Sequence, residues 1–555
     1  MKKIKSVLAL LCALLLMVSC CVSCGGEKDE IKGFDISSYT VVRPSRASRD
    51  LISHTITFKN MIKTSIGIEL SVKEDWVPPT QTLDESGNEI LVGGTNRTAT
   101  ASAKAKLDAS DDKNAFIIEI VGNKIVILGK TDEITVHALK YFLVNFVRTS
   151  KQEGKAAIDE NYSQISIADT ETILFDNFVQ FKMSDIVSIY EPESKWSLTT
   201  YQYPKIIQLQ YQEKEENNGI LFSILNSSEH FYRLFRSYDN GDNWKQVTQI
   251  YDKINKGVRG GRMGTLYELP VDIGEFKKGT LILAGTSSAL DTHPEKTAIV
   301  LYYSTDLGEN WKAYQSIDFA KGRTNGEGIW EPFLIYEEET ERIYCFYSDD
   351  SDPEHDQKLV YKYTTDFKNW IGADGKTGSD ADPCEAVACD DPKLRPGMIS
   401  IAKMGNGEYI MTYEMVGLKM NPTYAKRTKR LDNWGDVSDY GTLVQSTDGV
   451  IFGSSPWCAW SPVGGECGTL IVVGKHRTDK PEDKTAPDMF VSFDYGETYI
   501  GIDNPIDYTI TSENRCGYSP GLFFSSDGKT LYYVNNPNYG PGNEYIAFRR
   551  IEIIE

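Results

Sequence analysis

The chain is 555 residues long, which is more than one ordinary hydrophobic core accommodates, so we expect two or three domains. Acidic side chains outnumber basic ones by 79 to 59, and the formal net charge is −20. Proteins bind nucleic acids and other polyanions through clustered Lys and Arg, so this balance argues against such partners and fits a neutral one.

The N-terminus predicts an export signal rather than part of the fold. A lysine-rich start precedes an apolar run, residues 7–18, which is too short to span a bilayer. The run ends in the letters LMVSC, which resemble a bacterial lipobox with Cys20 as the lipidated residue, and Cys24 is the second candidate. We therefore predict a lipoprotein signal peptide over residues 1–20 and a polar linker over residues 21–32. A lipid on Cys20 would be the chain's only membrane attachment and would place it in the cell envelope, on the outer-membrane surface.

Residues 33–175 mix strand-like and helix-like stretches. Residues 115–120 and 124–129 are β-rich and flank a Gly-Asn turn, whereas residues 133–149 carry apolar side chains at helical spacing. Residues 89–97, EILVGGTNR, resemble a marker of the non-catalytic N-terminal domain found ahead of exo-acting glycoside hydrolases of the hexosaminidase and glucuronidase type. The resemblance implies a small α+β accessory domain that carries no chemistry.

Beyond residue 185, short aromatic and β-branched runs alternate with Gly, Asp and Asn, and one motif recurs. It reads Ser-x-Asp-x-Gly-x-x-Trp at 237–244 and 304–311, has Tyr in place of Trp at 492–499, and has degenerate copies at 364–370 and 446–449. These segments resemble Asp-boxes, which lie on the turn between the outer strands of a propeller blade. Asp and Ser bond the turn backbone, Gly supplies positive φ and the aromatic ring fills the space between strands, so we assign the motif a structural role.

A second periodicity predicts the number of blades. Candidate inner strands begin near Tyr203, Gly264, Glu331, Arg395, Trp460 and Gly517, at intervals of 57 to 67 residues. Each interval suits four short strands with their loops. The predicted fold is therefore mainly β, a six-bladed β-propeller over residues 185–555 preceded by the small α+β domain. Because the inner strands of a propeller begin around its axial mouth, we expect the functional groups there.

Several unusual residues do fall at these strand starts. Glu331 follows a Trp and precedes a Pro, Arg395 opens the fourth inner strand, and the next strand of that blade ends at Glu414. Arg515 and Tyr518 open the sixth inner strand. Two carboxylates, two arginines and a tyrosine suit glycosyl transfer, since one carboxyl must protonate the leaving oxygen while the other attacks or activates water.

Four side chains are candidates for substrate binding: Arg262, Trp330, Arg395 and Arg515. Glycines around Arg262 bring the backbone close to the predicted cleft. Trp330 could be a stacking platform for a sugar or could simply pack in the core. Arg395 and Arg515 could instead do no more than neutralise a nearby Glu.

Read together, six segments of the propeller resemble glycoside hydrolase family 93, the exo-α-1,5-L-arabinanases. In the family's order they are WEPF at 330–333, YSDDSDP at 347–353, QKLV at 357–360, TDFKNW at 365–370, RPGM at 395–398 and YIMTYE at 409–414. The resemblance implies a sialidase-like propeller and a retaining enzyme that releases arabinobiose from the non-reducing end of linear arabinan.

The same resemblance implies roles for individual residues. It places the catalytic carboxylates on Glu331 and Glu414, with Glu331 as nucleophile and Glu414 as general acid/base, or the reverse. Tyr518 matches a family tyrosine near the reacting centre. The chain departs from the family in the acidic, cysteine-bearing stretch 380–391, which we interpret as an insertion beside the cleft that affects leaving-group specificity.

Two rival functions use the same scaffold. A sialidase needs three arginines on the sialate carboxylate and usually an Arg-Ile-Pro motif in the first blade, where this chain has Pro-Lys-Ile at 204–206. Arg262, Arg395 and Arg515 could form another such triad. The second rival is a non-catalytic glycan-binding surface lipoprotein, because a fold alone never proves activity.

The remaining expectations concern cysteines, cofactors and partners. Cys384–Cys389 or Cys458–Cys467 could form disulfides in an oxidising compartment, and free buried thiols are the open alternative. No histidine and cysteine spacing indicates a zinc site, so we expect neither a metal nor a cofactor. The expected partner is a neutral oligo- or polysaccharide, with arabinan favoured, and the protein is expected to be a monomer.

Overall fold

The computed structural model describes residues 33–148, 150, 154–169, 171–175, 177, 179–191, 200–228, 230–254, 259–290, 293–320, 328–378, 381–510, 516–538 and 545–555. The predicted signal peptide with Cys20, the linker and Arg515 lie outside these residues. The chain divides into two compact units, one drawn from Met1–Thr170 and Leu174–Phe178 and the other from Glu171–Ile173 and Val179–Glu555. Within the described ranges no helix is long and apolar enough to cross a membrane.

The N-terminal unit is an α+β fold on one six-stranded sheet. Its elements are β1 (Phe34–Asp35), β2 (Thr40–Arg43), α1 (Arg49–Ile66), β3 (Ser71–Glu74), β4 (Glu89–Val92), α2 (Thr98–Asp108), β5 (Ala115–Val121), β6 (Lys124–Gly129), α3 (Asp132–Phe142) with a π-helical continuation (Leu143–Arg148), β7 (Lys155–Ala156) and β8 (Ser163–Ile167). The sheet order is β3-β2-β4-β6-β5-β8, with the first four strands parallel and β5 antiparallel to both neighbours. The predicted strand–turn–strand and the helix after it are confirmed.

Both faces of this sheet are covered by helices. Successive residues of a strand point to opposite faces. Val41 and Ile90 accordingly pack in the cluster that contains the buried residues of α1 and α3, whereas Val42 and Leu91 pack with those of α2. Helix α1 begins at a cap in which the Ser48 side chain accepts a hydrogen bond from Leu51 N at 3.2 Å.

The EILVGGTNR motif forms a buried ion cluster. Glu89 is 2% exposed and pairs with Arg97 through two hydrogen bonds of 3.0 Å. Lys73 and Lys124 approach the same carboxylate at 2.9 and 3.1 Å. Burial by itself raises the pKa of Glu89, but the hydrogen bonds from Arg97, Lys73 and Lys124 lower it to about 2. The two ends of the motif are thus partners in one ion pair, which gives the motif a structural role.

The second unit is a six-bladed β-propeller, as predicted. Blade 1 is β12 (Tyr201–Gln208), β13 (Leu221–Ser227), β14 (Phe231–Ser237) and β15 (Lys245–Tyr251); blade 2 is β16 (Arg259–Glu268), β17 (Leu281–Leu290), β18 (His293–Ser304) and β19 (Lys312–Phe319); blade 3 is β20 (Ile329–Glu337), β21 (Arg342–Asp349), β22 (Lys358–Thr364) and β23 (Cys384–Val387). Blade 4 is β24 (Arg395–Lys403), β25 (Tyr409–Val416), β26 (Thr423–Thr428) and β27 (Thr442–Leu443); blade 5 is β29 (Trp457–Ser461), β30 (Thr469–Val473), β32 (Met489–Ser492) and β33 (Ile500–Ile502), with β28 (Phe452–Gly453) pairing β31 (His476–Arg477) beside it.

Blade 6 is built from both ends of the propeller sequence. Its strands β34 (Gly521–Phe524), β35 (Thr530–Asn538) and β36 (Tyr545–Ile554) are followed in the sheet by β10 (Gln180–Met183) and β9 (Thr172–Leu174), and β11 (Val187–Tyr190) also pairs with β36. Strands that precede blade 1 in the sequence therefore complete the last blade. This arrangement closes the ring by joining the two ends of the propeller sequence in one sheet.

The Asp-boxes make the expected local bonds. In blade 2 the Ser304 hydroxyl donates to Asp306 Oδ1 at 2.8 Å and accepts from Gly308 N at 3.0 Å. Asp306 Oδ1 also accepts from Asn310 N at 2.9 Å, and Gly308 lies in the left-handed region at φ +79°. The copies in blades 1 and 5 make the same bonds, and all three lie between the third and fourth strands.

The degenerate copy assigned to residues 446–449 is misplaced. It follows β27, so it lies after the fourth strand of blade 4 rather than before it. The turn between the third and fourth strands of this blade carries residues 428–434, TKRLDNW, whose Trp434 is buried. This segment has the Thr and Trp of the copy at 364–370 but lacks its Asp in the same position, which is why the motif did not reveal it.

We expect Asp306→Ala to lower the free energy of unfolding of the propeller by about 1–2 kcal/mol, because the turn loses three hydrogen bonds to one carboxylate. Urea unfolding followed by tryptophan fluorescence measures the change. Glu309→Ala is the matched control in the same turn, since it removes only an exposed pair with Arg236 that is worth less than about 1 kcal/mol. Equal losses in the two variants would contradict the structural role of the Asp-box.

The acidic stretch 380–391 is predicted from the sequence to be an insertion beside the cleft. Part of it, Cys384–Val387, is β23, the outermost strand of blade 3, which pairs with β22. This part of the stretch is therefore a regular strand of the blade. The six cysteines in the described part of the chain are all free thiols, so neither proposed disulfide is present.

Candidate active site

All six inner strands share one backbone distortion near their start. A residue with positive φ lies within each of them or two residues before it: Tyr203, Met263, Glu331, Met398, Ser455 and Ser519, with φ between +44° and +61°. In blades 1 to 4 the ladder to the second strand shifts register at this point, as in a β-bulge. Four of the six residues precede a proline, which a bulge accommodates because no ladder hydrogen bond is lost there. Five of the six line one cavity of about 20 Å³, which brings Glu331 to the propeller axis.

Glu331 is held by two hydrogen bonds at this bulge. Its Oε2 accepts from the Ser348 hydroxyl at 3.0 Å and from Met398 N at 3.1 Å. Burial and the nearby charge of Glu414 raise the pKa of Glu331 to about 7, although the two hydrogen bonds and Lys205 act in the opposite direction. A carboxyl in this state can exchange a proton near neutral pH.

Glu414 lies on β25, opposite Gly397 of the neighbouring inner strand. It is 7% exposed, and its Oε2 accepts a hydrogen bond from Ser455 N at 2.9 Å. Burial raises its pKa, against the opposing effects of Ser455 and Ser454 and of the cations Arg395 and Lys475. The two predicted carboxyls therefore interact, with Glu414 buried and Glu331 partly exposed.

Asp350 holds one of the predicted binding residues, Arg395. It accepts hydrogen bonds from Gly328 N and, at 3.2 Å, from Arg395 Nη2. Arg395 also donates to Gln357 Oε1 at 3.0 Å. The guanidinium is therefore held by Asp350 and Gln357, and its charge also acts on Glu414.

Arg262 and Tyr518 border the same mouth. The guanidinium of Arg262 lies 5.8 Å from the centre of the Trp330 ring, in a cation–π arrangement. The Tyr518 ring meets the Tyr203 ring edge-on at 5.3 Å, and the Lys475 ammonium lies 5.1 Å from the Tyr518 ring centre. Four of the seven predicted catalytic and substrate-binding residues lie on inner strands: Arg262, Trp330, Glu331 and Arg395. Glu414 lies on the second strand of blade 4, Tyr518 lies just before β34, and Arg515 is outside the described residues.

Several residues of this site were not predicted from the sequence to be functional. Ser348, Asp350 and Gln357 lie inside segments that carried the family resemblance, but their contacts depend on strand register that the sequence does not reveal. Lys205 was considered only as a departure from a sialidase motif. A charged residue within an otherwise apolar inner strand was the signal that could have marked it. Among the described residues no group of His, Cys, Asp and Glu is arranged to hold a metal ion.

Several solved structures resemble this chain. No protein-family model matches the sequence, and no curated protein is significantly similar to it. An α-L-arabinanase of Penicillium chrysogenum in complex with arabinobiose is 27% identical, and the match covers 67% of this chain and 98% of that one with a TM-score of 0.55. A family 93 α-L-arabinofuranosidase of Fusarium graminearum with arabinobiose is 23% identical at the same coverage, with a TM-score of 0.53. The Fusarium enzyme is a family 93 glycoside hydrolase.

The Fusarium similarity, at 23% identity, shows a shared fold. A further structure of that enzyme holds an iminosugar inhibitor and has a TM-score of 0.52 to this chain. The resemblance of the N-terminal unit to a domain ahead of exo-acting glycoside hydrolases stays a prediction.

Proposed function

We propose that the protein is a retaining, exo-acting glycoside hydrolase that releases arabinobiose from the non-reducing end of α-1,5-L-arabinan, acting from a lipid anchor at the cell envelope. The pair of interacting carboxyls, Glu331 and Glu414, is the observation that carries the proposal. Such a pair is what glycoside hydrolysis requires, because one member donates a proton while the other bears a charge. The similar propellers solved with arabinobiose support the choice of sugar.

In the proposed reaction Glu331 attacks the anomeric carbon while Glu414 protonates the departing oxygen. Glu414 then takes a proton from water, which displaces Glu331 and restores both residues. The two donors to Glu331 both bond Oε2, so they orient the carboxylate with Oε1 as the attacking oxygen. These hydrogen bonds favour the ionised form that a nucleophile needs, whereas burial and the charge of Glu414 outweigh them and raise the pKa of Glu331 to about 7.

The surrounding side chains suit a sugar that lies across the mouth. The Trp330 ring provides an apolar face on which a sugar ring stacks. Arg262 and Arg395 supply donors for sugar hydroxyls, and Tyr518 lies just before β34, the inner strand of blade 6. The same contacts argue against a sialidase, because Arg395 is already paired with Asp350 and Lys205 takes the place of the first-blade arginine.

The proposal is tested by incubating the soluble mature chain with linear debranched arabinan and resolving the products over time. Arabinobiose from the first minutes, without a ladder of longer fragments, supports exo-action at this site. If the folded protein forms no product from arabinan but releases sialic acid from sialosides, the sialidase function replaces it. Binding of arabinan oligosaccharides without any turnover would favour the non-catalytic alternative.

The proposed function also predicts a pH profile. The pair must hold one proton, since one carboxyl acts as acid and the other as nucleophile. Burial and Glu414 raise the pKa of Glu331 to about 7, so above this pH both carboxyls are ionised. We therefore expect kcat/KM on arabinan to fall about ten-fold for each pH unit above about 7. A constant kcat/KM between about pH 6 and pH 9 would contradict the assigned pair.

A further inference from the structure

Tyr232 is a fully buried tyrosine of β14 whose side chain reaches from blade 1 into blade 2. Its ring lies against two glycines of blade 2. A methyl group on Gly264 would come within 2.4 Å of the ring carbon Cε1, and one on Gly285 within 1.8 Å of the hydroxyl oxygen. No methyl group approaches another heavy atom so closely, so these two glycines form a slot for the tyrosine ring.

The Tyr232 hydroxyl binds the backbone of Arg262, to whose carbonyl oxygen it donates a hydrogen bond of 2.8 Å. Asn226 of the neighbouring strand β13, which is also buried, accepts a hydrogen bond of 3.2 Å from Gly264 N through its Oδ1. Between these two bonds lies Met263, the residue of β16 with positive φ, at +50°. Two side chains of blade 1 therefore hold the backbone of blade 2 on both sides of its bulge.

Two other inner strands are held in a similar way at or next to their bulges. Lys205 Nζ donates from blade 1 to Ser519 O of blade 6 at 2.8 Å, and Gln357 Nε2 donates from blade 3 to Pro396 O of blade 4 at 2.7 Å. A buried side chain of an adjacent blade thus satisfies a carbonyl that the irregular strand leaves outside the regular ladder. In blade 2 the residue held in this way is Arg262, which borders the mouth.

The side chain of Arg262 extends from this held backbone to Trp330, and its guanidinium lies 5.8 Å from the centre of the indole ring. Both side chains are partly exposed. An arginine side chain has many rotamers, so the guanidinium keeps one position only when the backbone that carries it is fixed. A donor that is already in position beside a stacking face loses less conformational entropy when a sugar binds.

We propose that Tyr232 and Asn226 are positioning residues that hold Arg262 over the Trp330 ring and thereby shape the sugar subsite formed by these two side chains. The sugar in this inference rests on the proposed function, whereas the position of Arg262 is a property of the free protein. Tyr232 is fully buried and cannot touch a bound sugar. Affinity in this subsite therefore depends on blade 1 as well as on the residues that contact the sugar.

The test is Tyr232→Phe, which removes the hydroxyl and keeps the ring in its slot. In the substrate-free full chain labelled with ¹⁵N-arginine, the Nε–H signal that is absent from Arg262→Met identifies Arg262, and Trp330→Leu shows how far the indole ring displaces that signal. We expect the signal in Tyr232→Phe to move towards its position in Trp330→Leu. On arabinan, KM should rise about three- to ten-fold and kcat should change less than about two-fold, because the carboxyl pair is untouched.

Two further comparisons separate positioning from general packing. In an Arg262→Met background, Tyr232→Phe should cause no further rise in KM, because it acts through Arg262. Tyr532→Phe is the matched control, since Tyr532 is also buried and its hydroxyl also joins two blades, by accepting a hydrogen bond of 2.9 Å from Gln208 Nε2. It should lower stability and leave both the Arg262 signal and KM unchanged.

An unmoved Arg262 signal in folded Tyr232→Phe would overturn the inference. If that variant does not fold, Asn226→Ala releases the other side of the same bulge, and an unmoved signal there has the same meaning. A rise in KM that is equal with and without Arg262, or that Tyr532→Phe reproduces, would also overturn it. A moved signal in a protein that never hydrolyses arabinan would leave the positioning of Arg262 standing and refute the proposed function alone.

Discussion

Replacing either Glu331 or Glu414 by Gln is expected to lower kcat/KM on arabinan by roughly 10³-fold or more, because each substitution removes one of the two carboxyls on which double displacement depends. Gln has nearly the same size as Glu, so the buried site keeps its packing. Reducing-sugar release measures the loss, and binding of arabinan oligosaccharides by calorimetry checks that the mouth is intact. Retention of more than about a tenth of the wild-type rate in either variant would contradict the site assignment.

The two variants should differ with an activated substrate. An aryl arabinoside with a good leaving group needs no proton in its first step. Glu414→Gln should therefore still form the glycosyl-enzyme and show a burst of released phenol, whereas Glu331→Gln should not. The opposite pattern would mean that Glu414 is the nucleophile.

The second large effect is expected in the N-terminal unit. Glu89→Gln should lower the free energy of unfolding of this unit by about 3 kcal/mol. The substitution leaves Arg97 and Lys124, which are 3% and 5% exposed, without the carboxylate that compensates their charge. Hydrogen exchange of the full chain, read in peptides from β4 and α2, measures the opening of this unit separately from the propeller.

The same cluster has a defined pH dependence. Arg97, Lys73 and Lys124 lower the pKa of Glu89 to about 2, below its ordinary value of 4.5. Its contribution is therefore fully present above about pH 4.5 and is lost as the pH falls towards about 2. Glu89→Gln should lack this acid-dependent loss. Lys73→Ala is the control, since its half-exposed ammonium should contribute less than about 1 kcal/mol. Equal effects of the two substitutions would contradict the buried cluster.

Much of the fold was predictable because the blades of a propeller share the same strands and turns. The Asp-boxes and the spacing of inner strands predicted six blades, since each blade buries the same faces with the same turns. The predicted strand starts differ from the observed ones by up to five residues. The largest difference is in β16, which was predicted to begin near Gly264 and begins at Arg259. The bulge explains such errors, because it interrupts the alternation of polar and apolar residues from which a strand boundary is judged.

The site was predictable in part. Glu331 stood out because a strand start with an acid before a proline is unsuited to an ordinary core, and Glu414 was found through the family resemblance. Lys205 and Asp350 act through contacts with residues far away in the sequence, Ser519 in one case and Arg395 in the other. Such contacts depend on which strands become neighbours when the ring closes, and no local sequence pattern indicates which strands these are.

The arrangement of strands in blade 6 affects how the protein folds during synthesis. Strand β36, near the last residue of the chain, pairs with strands that were made more than 350 residues earlier. During synthesis the early strands β9, β10 and β11 therefore have no sheet to join, and the Lys205 contact with Ser519 cannot form. The propeller gains its complete ring only when the C-terminus is available, so a chain truncated before β36 should have no working axial site.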